Sequence, residues 1–578
     1  MKNKRIVQGL TLAASIIPLA LMSGISAFAQ SIQFTASVPS APARMQVYNL
    51  ATTPPPTDFI NEKLAAVRLP SLQNENGALI TRGSIGQTDQ DKVRAFVNPT
   101  SGDAHFTPNL SELMAGTANT IPLAQSRGIA QGALADTRFI PKDSTQLKLG
   151  DSIQVMGQAS GEAARTVMTI HPAVRLASGC PVYGKGSHAL ITTSNDGSIH
   201  GASRKWKTAS AGSFISPRIT SDQVKADIQR QLKPFVSAPG SAATVDKIEL
   251  SYYDGNGNFL QPCYHFEATV TTGNNKSSPI RTGGYVAIGN TLEPIPDLTT
   301  RPNSQDPEMP REAEYAQPRM QTAGMISSGS NITLGEYINQ DYPNNSAYIS
   351  MASAFLTGMN YYNSLAAGST PTCTRTQYYV AQPWEVNGSN SKNYLNAVNV
   401  AYTEPHGAWW LNTTLSNYGD VWYVNQIGTG GNPGFGAAAG GKLATWIIMS
   451  CEVVPSAYDC QNAASGATNA FAPWFPVFQG LHNVVGFRTI MFYPDDNLQT
   501  TFGEALSRGG DVTSAWFQSI ASCEAGIGTY ANTLLKGSPM CHYDRGSTFV
   551  DSRDVGQSIY SIQAQTKATS LTNFWMNN

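Results

Sequence analysis

The feature that most constrains this chain is a set of near-continuous apolar runs in its C-terminal half, separated by stretches of helix length. The runs are "TQYYVAQPW", "NAVNVAYT", "ATWIIMS" and "HNVVGFRTIMFY", and the predicted helices are "SAYISMASAFLTGMNYYNSL", "TFGEALSRGG" and "VTSAWFQSIAS". Strands that are buried on both faces lack the apolar–polar alternation of strands with one solvated face. The pattern therefore predicts an α/β fold whose C-terminal part is an α/β sandwich with a mostly parallel sheet.

A proline-rich segment at residues 294–324 divides the chain in two. It carries scattered charges and no apolar period, and proline removes backbone donors and holds the chain extended, so we expect an exposed linker. The half before it, residues 30–293, mixes short helical and β-like runs. This predicts small α+β units, at about 43–206 and 210–292, followed after the linker by one larger domain at 325–578.

The first residues of the chain have the pattern of a bacterial export signal. A positive start precedes an apolar stretch from Leu10 to Leu21, and Ala27-Phe28-Ala29 has the small-x-small pattern that signal peptidase cuts. We therefore expect a signal peptide at residues 1–29 and a secreted or periplasmic protein. No later run reaches the roughly 18 to 20 continuous apolar residues of a transmembrane helix, so we expect no membrane association.

The charge balance argues against nucleic acid as a partner. Lysine and arginine number 38 against 39 aspartates and glutamates, for a formal net charge of -1. Such a chain has no electrostatic basis for binding nucleic acid or an anionic membrane surface.

The chain contains no HExxH or GxSxG string, and Leu443 follows "GAAAGGK" where a phosphate-binding loop needs Ser or Thr. We therefore expect no metal and no cofactor.

The chain has seven cysteines, which is an odd number for a secreted protein. Thiols tend to pair in an oxidising compartment, so at least one cysteine is expected to stay unpaired. Cys180 with Cys263, and Cys523 with Cys541, are candidate disulfides, although connectivity cannot be read from sequence.

A histidine and a cysteine follow two of the apolar runs. His406 comes after "AVNVAYTEP" and Cys451 after "LATWIIMS", which puts both at the carboxyl ends of predicted strands. In parallel sheets functional groups collect at that edge. The separation, 451 − 406 = 45 residues, is close to the roughly 50 of caspases, where the histidine also precedes the cysteine. The pattern predicts a His/Cys catalytic dyad.

These two segments, "YTEPHGA" and "IIMSCE", resemble the caspase-like cysteine peptidases, including legumain-like and gingipain-like enzymes. "FGEALSRGGDVTSAWF" is similar to the helical segment after the last core strands of gingipain-like members. Residues 325–578 as a whole also resemble an uncharacterised bacterial domain that carries the same His-Gly and Cys. The N-terminal half is similar to the small domains in propeptides of secreted bacterial peptidases. The resemblance implies a caspase-like sandwich that follows a pro-domain.

The resemblance also implies roles for individual residues. Cys451 would attack a peptide carbonyl as a thiolate, and His406 would protonate the leaving amine. The backbone N–H groups of Gly407 and Cys451 would hold the oxyanion, and glycine lets the backbone approach the substrate closely. Four further residues are candidates for the substrate pocket: Trp409, Trp410, Asp420 and Trp422.

The sequence thus predicts a secreted cysteine endopeptidase that acts on a protein or peptide substrate. Its pro-domain would be removed by cleavage in the exposed linker, where Arg301, Arg311 and Arg319 are candidate sites. The alternative is a catalytically inactive caspase-like module that serves in binding or structure, which Pro405, directly before the histidine, favours. A disulfide between Cys451 and Cys460 would support this alternative.

Overall fold

The computed structural model describes most of the chain. The described residues are 31–83, 93–116, 119–237, 239–271, 278–298, 311–312, 331–338, 347–365, 372–386, 388–414, 420–463, 469–493, 496–523, 529–530, 541–560 and 564–577. The predicted signal peptide, Arg301, Arg319 and most of the predicted linker lie outside these ranges.

The N-terminal half consists mainly of strands with four helices against them. The strands are β1 (Ser31–Phe34), β2 (Met45–Ala51), β3 (Gln73–Glu75), β4 (Ala78–Arg82), β5 (Val93–Val97), β6 (Ala104–Phe106), β7 (Gln146–Leu149), β8 (Ile153–Ala159), β9 (Arg165–Ala177), β10 (Cys180–Gly184), β11 (Ser187–Ser194), β12 (Ile199–Trp206), β13 (Thr208–Ile215), β14 (Ala242–Asp254), β15 (Phe259–Thr271) and β16 (Ile280–Ala287). The described helices of this half are α1 (Thr57–Ala66), α2 (Leu110–Ala115), α3 (Leu123–Leu134) and α4 (Ser221–Leu232).

The C-terminal half alternates strands and helices. Its strands are β17 (Arg311–Glu312), β18 (Ile332–Ile338), β19 (Cys373–Val380), β20 (Val400–Glu404), β21 (His406–Ala408), β22 (Leu411–Thr414), β23 (Asp420–Tyr423), β24 (Thr445–Ile448), β25 (Asn483–Phe487), β26 (Phe492–Tyr493), β27 (Thr529–Tyr530), β28 (Cys541–His542), β29 (Gly546–Asp551) and β30 (Leu571–Met576). Its helices are α5 (Ala347–Met359), α6 (Tyr361–Leu365), α7 (Pro383–Val386), α8 (Ala457–Gln461), α9 (Asp496–Ser507) and α10 (Val512–Ala521). The three predicted helices are confirmed as α5 with α6, α9 and α10.

Most of the described strands form one large mixed sheet, which confirms the predicted α/β class, while β21–β23 and β27–β28 form two small separate sheets. In the C-terminal half the strands β19, β18, β20, β24 and β25 pair in parallel in that order, and the sheet continues antiparallel through β29 and β30. The expectation of a mostly parallel sheet is wrong for the sheet as a whole, which is mostly antiparallel. The reason is that the N-terminal strands follow one another through tight hairpins, such as β11–β12 and β14–β15, and hairpins produce antiparallel pairs.

The large sheet continues from one half of the chain into the other. The last strand, β30, pairs antiparallel with β8, with Trp575 opposite Met156. The strand β16 pairs in parallel with β26, with Arg281 opposite Phe492. The two halves therefore share backbone hydrogen bonds at two places. The division into domains at the linker stays a prediction.

The parallel strands carry a separate hydrophobic cluster on each face, because side chains alternate along a strand. On β24, Trp446 and Ile448 belong to one cluster, whereas Ile447 belongs to the other. The face of Ile447, called here the inner face, packs against α5, α9 and the N-terminal strands. The face of Trp446, called here the outer face, is covered by the C-terminal half almost alone.

The six cysteines whose side chains the structure describes form no disulfide with one another. Cys180 is a free thiol, so the expected bond to Cys263 is absent. The physical reason is that β14 lies between β10 and β15, and strands two apart are about 9.6 Å apart, beyond the roughly 7 Å that a disulfide allows between Cα atoms. The expected Cys523–Cys541 bond involves the side chain of Cys541, which lies outside the described part.

Within the described residues, no helix is both long and apolar enough to cross a membrane.

Candidate functional site

The structure places His406 and Cys451 after neighbouring parallel strands. β20 and β24 pair from Val400 opposite Thr445 to Thr403 opposite Ile448. The Met449 N–H donates to the carbonyl of Thr403 at 2.8 Å, which extends the pairing beyond β24. His406 and Cys451 come within three residues of these ends. Both residues therefore follow the ends of two neighbouring parallel strands, and His406 itself begins β21, which pairs with β22 in a separate three-stranded sheet.

Gly407 brings the histidine segment into direct contact with the cysteine segment. A Cβ atom at this position would collide with the hydroxyl of Ser450, the carbonyl of Cys451 and the side chain of Val453. Only glycine fits without a shift of the neighbouring backbone, because one of the three obstacles, the Cys451 carbonyl, is itself a backbone atom. His406 is 3% exposed and Cys451 is 2% exposed, so both residues are buried.

Cys451 is a free thiol in a buried and electronegative setting. The pKa of the Cys451 thiol is raised to about 12, mainly by burial and also by the nearby charges of Glu452 and Asp544. The backbone N–H of Met491 opposes these effects, because it donates to Sγ at 3.3 Å. The thiol is therefore protonated at neutral pH in this structure, and a thiol is a poor nucleophile compared with a thiolate.

A segment of the N-terminal half lies over this thiol. Residues 278–282, called here the covering segment, approach the site from the start of β16. The Ser278 N–H donates to the carbonyl of Gly407 at 2.8 Å, and the Ser278 hydroxyl donates to Oε2 of Glu452 at 2.6 Å. The carbonyl of Pro279 lies 3.7 Å from the Cys451 sulfur, which donates a weak hydrogen bond to it. The covering segment thus touches both the His-Gly loop and the cysteine loop.

The covering segment continues as a strand paired with the C-terminal half. The Arg281 N–H donates to the carbonyl of Met491 at 3.2 Å, and Thr282 lies opposite Tyr493 in the β16–β26 pair. The sequence predicted one continuous strand in "HNVVGFRTIMFY", and this prediction is wrong in detail. The structure separates it into β25 and β26, and the break lets the backbone of Met491 reach both Cys451 and the covering segment.

A buried charge network anchors the covering segment. The side chain of Arg281 is 1% exposed and binds Asp246 at 2.6 Å and Glu267 at 2.8 Å. Lys247 also binds Glu267 at 2.8 Å, and the Tyr543 hydroxyl donates to Glu267 at 3.0 Å. Burial alone would raise the pKa of Glu267, but the charges of Lys247 and Arg281 hold this pKa at about 2. Since Tyr543 belongs to the C-terminal half, the network links the two halves beside the site.

Glu452 has a backbone conformation that is unusual for its residue type. Its φ is +57°, in the left-handed region, and its N–H donates to the carbonyl of Thr489 at 3.1 Å. A non-glycine residue there costs of order 1–3 kcal/mol and persists only where its surroundings hold it. The turn fixes the Glu452 carboxylate beside Cys451, where it is 8% exposed.

The structure separates the four expected pocket residues. Trp422 is 1% exposed and stacks on Trp446, with ring centroids 5.5 Å apart, in the outer-face cluster. It is therefore a core residue, and its expected place in the pocket is wrong, because Cys451 belongs to the inner-face cluster. Trp409 and Trp410 are partly exposed and also pack against the outer-face cluster. The side chain of Asp420 lies outside the described part.

Sequence reasoning missed the covering segment and Glu452. No pattern in the N-terminal half marks residues 278–282, since contact with Cys451 arises only from the folding of distant parts of the chain. Glu452 adjoins Cys451 in the sequence, so it could have been singled out as a charge beside the expected nucleophile. Among the described residues, no group of histidine, cysteine, aspartate and glutamate side chains could hold a metal ion.

Comparisons with known proteins give a family match over the site region. A family model described as a domain of unknown function, DUF6345, matches residues 380–537, which include His406 and Cys451. Among curated proteins, none matches the chain.

Two solved structures are distant neighbours. An uncharacterised protein from Eubacterium rectale is 11% identical, with 45% of this chain and 88% of that chain covered and a TM-score of 0.26. The C-terminal domain of YpeB from Bacillus megaterium is 17% identical, with 40% of this chain and 91% of that chain covered and a TM-score of 0.19. Likenesses at this distance carry no argument about fold or function.

Proposed function

We propose that the protein is an exported cysteine endopeptidase with a caspase-like catalytic domain and a His406/Cys451 dyad, held latent by its N-terminal half. One observation carries the proposal. The histidine and cysteine loops touch at the edge of two parallel strands, and a segment from the other half of the chain lies across the thiol. A thiol that is covered by a segment from another part of the chain is the arrangement expected of an inactive precursor.

The chemistry would follow the usual course for a cysteine peptidase. The Cys451 thiolate attacks the carbonyl carbon of the scissile peptide, and the carbonyl electrons move onto oxygen. The N–H groups of Gly407 and Cys451 stabilise this oxyanion. As the C–N bond breaks, His406 gives its proton to the leaving amine. Water then hydrolyses the thioester, which releases the acid product and restores the thiol.

Latency follows from the buried state of the thiol. With the pKa of Cys451 at about 12, only about one molecule in 10⁵ carries the thiolate at pH 7. Removal of the covering segment would admit water, and hydration lowers the pKa of a buried thiol because it stabilises the charged form. Activation therefore requires displacement of residues 278–282, for which cleavage in the linker at 294–324 is the proposed first step.

The alternative is a caspase-like module without activity. The observation that favours it is the same electronegative setting, because the carboxylate of Glu452 opposes ionisation of Cys451 whether or not the thiol is covered. This module would keep Cys451 as a core residue. A Cys451–Cys460 disulfide would have supported the inactive module, but Cys451 is a free thiol. The two cysteines also belong to hydrophobic clusters on opposite faces of the sheet.

The test compares the full chain with Cys451→Ala before and after limited trypsin treatment. Trypsin is then inhibited, and hydrolysis of a fluorescent casein is measured. We expect no activity before treatment, activity after treatment, and none in Cys451→Ala in either state. Cys180→Ala, which removes a thiol far from the site, is the matched control and should behave as the wild type. Equal activity in the treated wild type and Cys451→Ala, or none in both, would contradict the proposal.

Export is a separate part of the proposal. The protein expressed with its own N-terminus in a bacterium should be recovered from the periplasm or the medium, with a first residue at Gln30. Recovery from the cytoplasm with Met1 retained would contradict it.

A further inference from the structure

The covering segment crosses the site as an extended peptide would, so its contacts define what a substrate meets there. Ser278 is the residue whose N–H binds the carbonyl of Gly407, and the carbonyl of the next residue, Pro279, lies beside the Cys451 sulfur. A substrate that runs in the same direction would place one side chain where Ser278 now lies. That side chain would face the carboxylate of Glu452.

We propose that Glu452 is a specificity-determining residue, which selects peptide substrates with a basic side chain one residue before the residue held at Cys451. This inference rests on the proposed function. Its direct support is the 2.6 Å bond from the Ser278 hydroxyl to Oε2 of Glu452, which shows that the carboxylate contacts the residue at this position.

The chemistry of Glu452 favours a cationic partner. Its carboxylate is largely removed from water, and a buried carboxylate needs hydrogen-bond donors to offset the lost hydration. The serine hydroxyl supplies one neutral donor. A lysine or arginine side chain would supply a charged donor, and charge-assisted hydrogen bonds are about twice as strong as neutral ones. An acidic side chain would be repelled.

The position of this carboxylate is set before any substrate arrives. The left-handed turn at Glu452 is held by its N–H bond to the carbonyl of Thr489, and Val454 N–H donates to the carbonyl of Phe487 at 3.1 Å. Two backbone bonds to the 487–489 stretch therefore fix the loop that bears both Cys451 and Glu452. A fixed charge discriminates better than a mobile one, because no ordering is needed when the substrate binds.

The test uses peptidyl acyloxymethyl ketones on the full chain. Three probes differ only in the residue before proline: Lys-Pro, norleucine-Pro and Glu-Pro. Proline repeats the residue that the structure places at Cys451. In the labelling step the Cys451 thiolate forms a C–S bond to the methylene carbon, and the carboxylate leaves with the electron pair. The protein carries Arg281→Ala to loosen the covering segment, with Tyr543→Phe as a milder second variant.

The readout is the ratio of labelling rates, measured by mass spectrometry of the Cys451 peptide. We expect the Lys probe to label at least about tenfold faster than the norleucine probe, and the Glu probe to label slowest. Glu452→Gln, added to the same chain, should bring the ratio of the Lys-probe rate to the norleucine-probe rate close to one. The ratio is used because removal of the Glu452 charge also changes the reactivity of the thiol toward every probe. Glu112→Gln, which alters a glutamate paired with Arg94 in the N-terminal half, should leave the ratio unchanged.

Iodoacetamide labelling of Cys451 in each variant distinguishes a failure of the Glu452 role from a failure of the proposed peptidase function. Equal rates for the three peptidyl probes, or a Lys preference that persists in Glu452→Gln, would overturn the role of Glu452 and leave the peptidase intact. Reaction with iodoacetamide but with none of the peptidyl probes would overturn the proposed function, and the inference with it.

Discussion

The two faces of the parallel strands are covered by different kinds of contact. The outer face is filled by aromatic side chains of the C-terminal half, where Trp446 stacks on Trp422 and meets Phe435 at 5.2 Å between ring centroids. The inner face near Cys451 is completed by the covering segment, which is held through backbone bonds and the Arg281 network. The outer face is thus covered by the C-terminal half almost alone, whereas the inner face near Cys451 also depends on polar contacts from a distant part of the chain. If the protein is a latent peptidase, as proposed, the inner face is the one that must open.

The largest expected effect is on the outer face. Trp446→Ala removes a fully buried indole and leaves a cavity, so the free energy of unfolding should fall by about 3–5 kcal/mol. Urea unfolding followed by circular dichroism measures this change. Trp409→Ala, at a partly exposed position, is the control and should cost about 1 kcal/mol or less. A similar loss in both variants would mean that the outer face is not a packed core.

The second effect is on the covering segment. Arg281→Ala leaves Glu267 and Asp246 without their buried cationic partner, and broken buried pairs cost about 3–5 kcal/mol. We expect the covering segment to open, and iodoacetamide to label Cys451 roughly 100-fold faster, which corresponds to about 2.7 kcal/mol. The matched control is Arg230→Ala, because Arg230 forms only exposed ion pairs, with Asp227 and Asp297. Unchanged labelling in Arg281→Ala would show that the network does not hold the segment.

The smallest effect comes from acid. The pKa of Glu267 is about 2 in the folded protein, against an ordinary value of 4.5, so this carboxylate stabilises the fold above pH 4.5. The contribution is lost as the pH falls from 4.5 through 2, and about 2 kcal/mol should be gone at pH 3. Urea unfolding at pH 6, 4 and 3 measures the loss. Glu267→Gln should flatten this dependence, and an equally steep dependence in that variant would assign the effect to other carboxylates.

Alkaline conditions provide a converse check on Cys451. Its pKa is raised in the folded protein from 9.0 to about 12, so the neutral thiol favours folding below pH 9 and this contribution is lost as the pH rises toward 12. Between pH 7 and 9 the thiolate fraction of Cys451 should rise about 100-fold yet stay at about 0.1%, so iodoacetamide labelling should keep rising past pH 9 and remain far slower than that of a small peptide thiol. Labelling of Cys451 that levels off near pH 9, as for an ordinary thiol, would contradict the covered state.

Parts of the site could be predicted from local patterns. The apolar runs before His406 and Cys451 predicted two neighbouring strands, and the structure pairs them in parallel. Trp422 was misassigned because a tryptophan near a predicted site has the same sequence signal whether it lines a pocket or fills a core. The expected Cys180–Cys263 disulfide is absent because β14 separates the two strands, and the sequence does not show this separation.

The sequence by itself determined several strands and helices of the C-terminal half and the strand ends that His406 and Cys451 follow, because these depend on periodicity and on the direction of parallel strands. Tertiary structure alone decided that residues 278–282 cover Cys451, that Arg281 anchors them, and that β8 and β30 join the halves. The contact with Cys451 and the β8–β30 pairing link residues more than a hundred positions apart. Such contacts depend on how whole layers pack, and no short pattern in the chain encodes that packing.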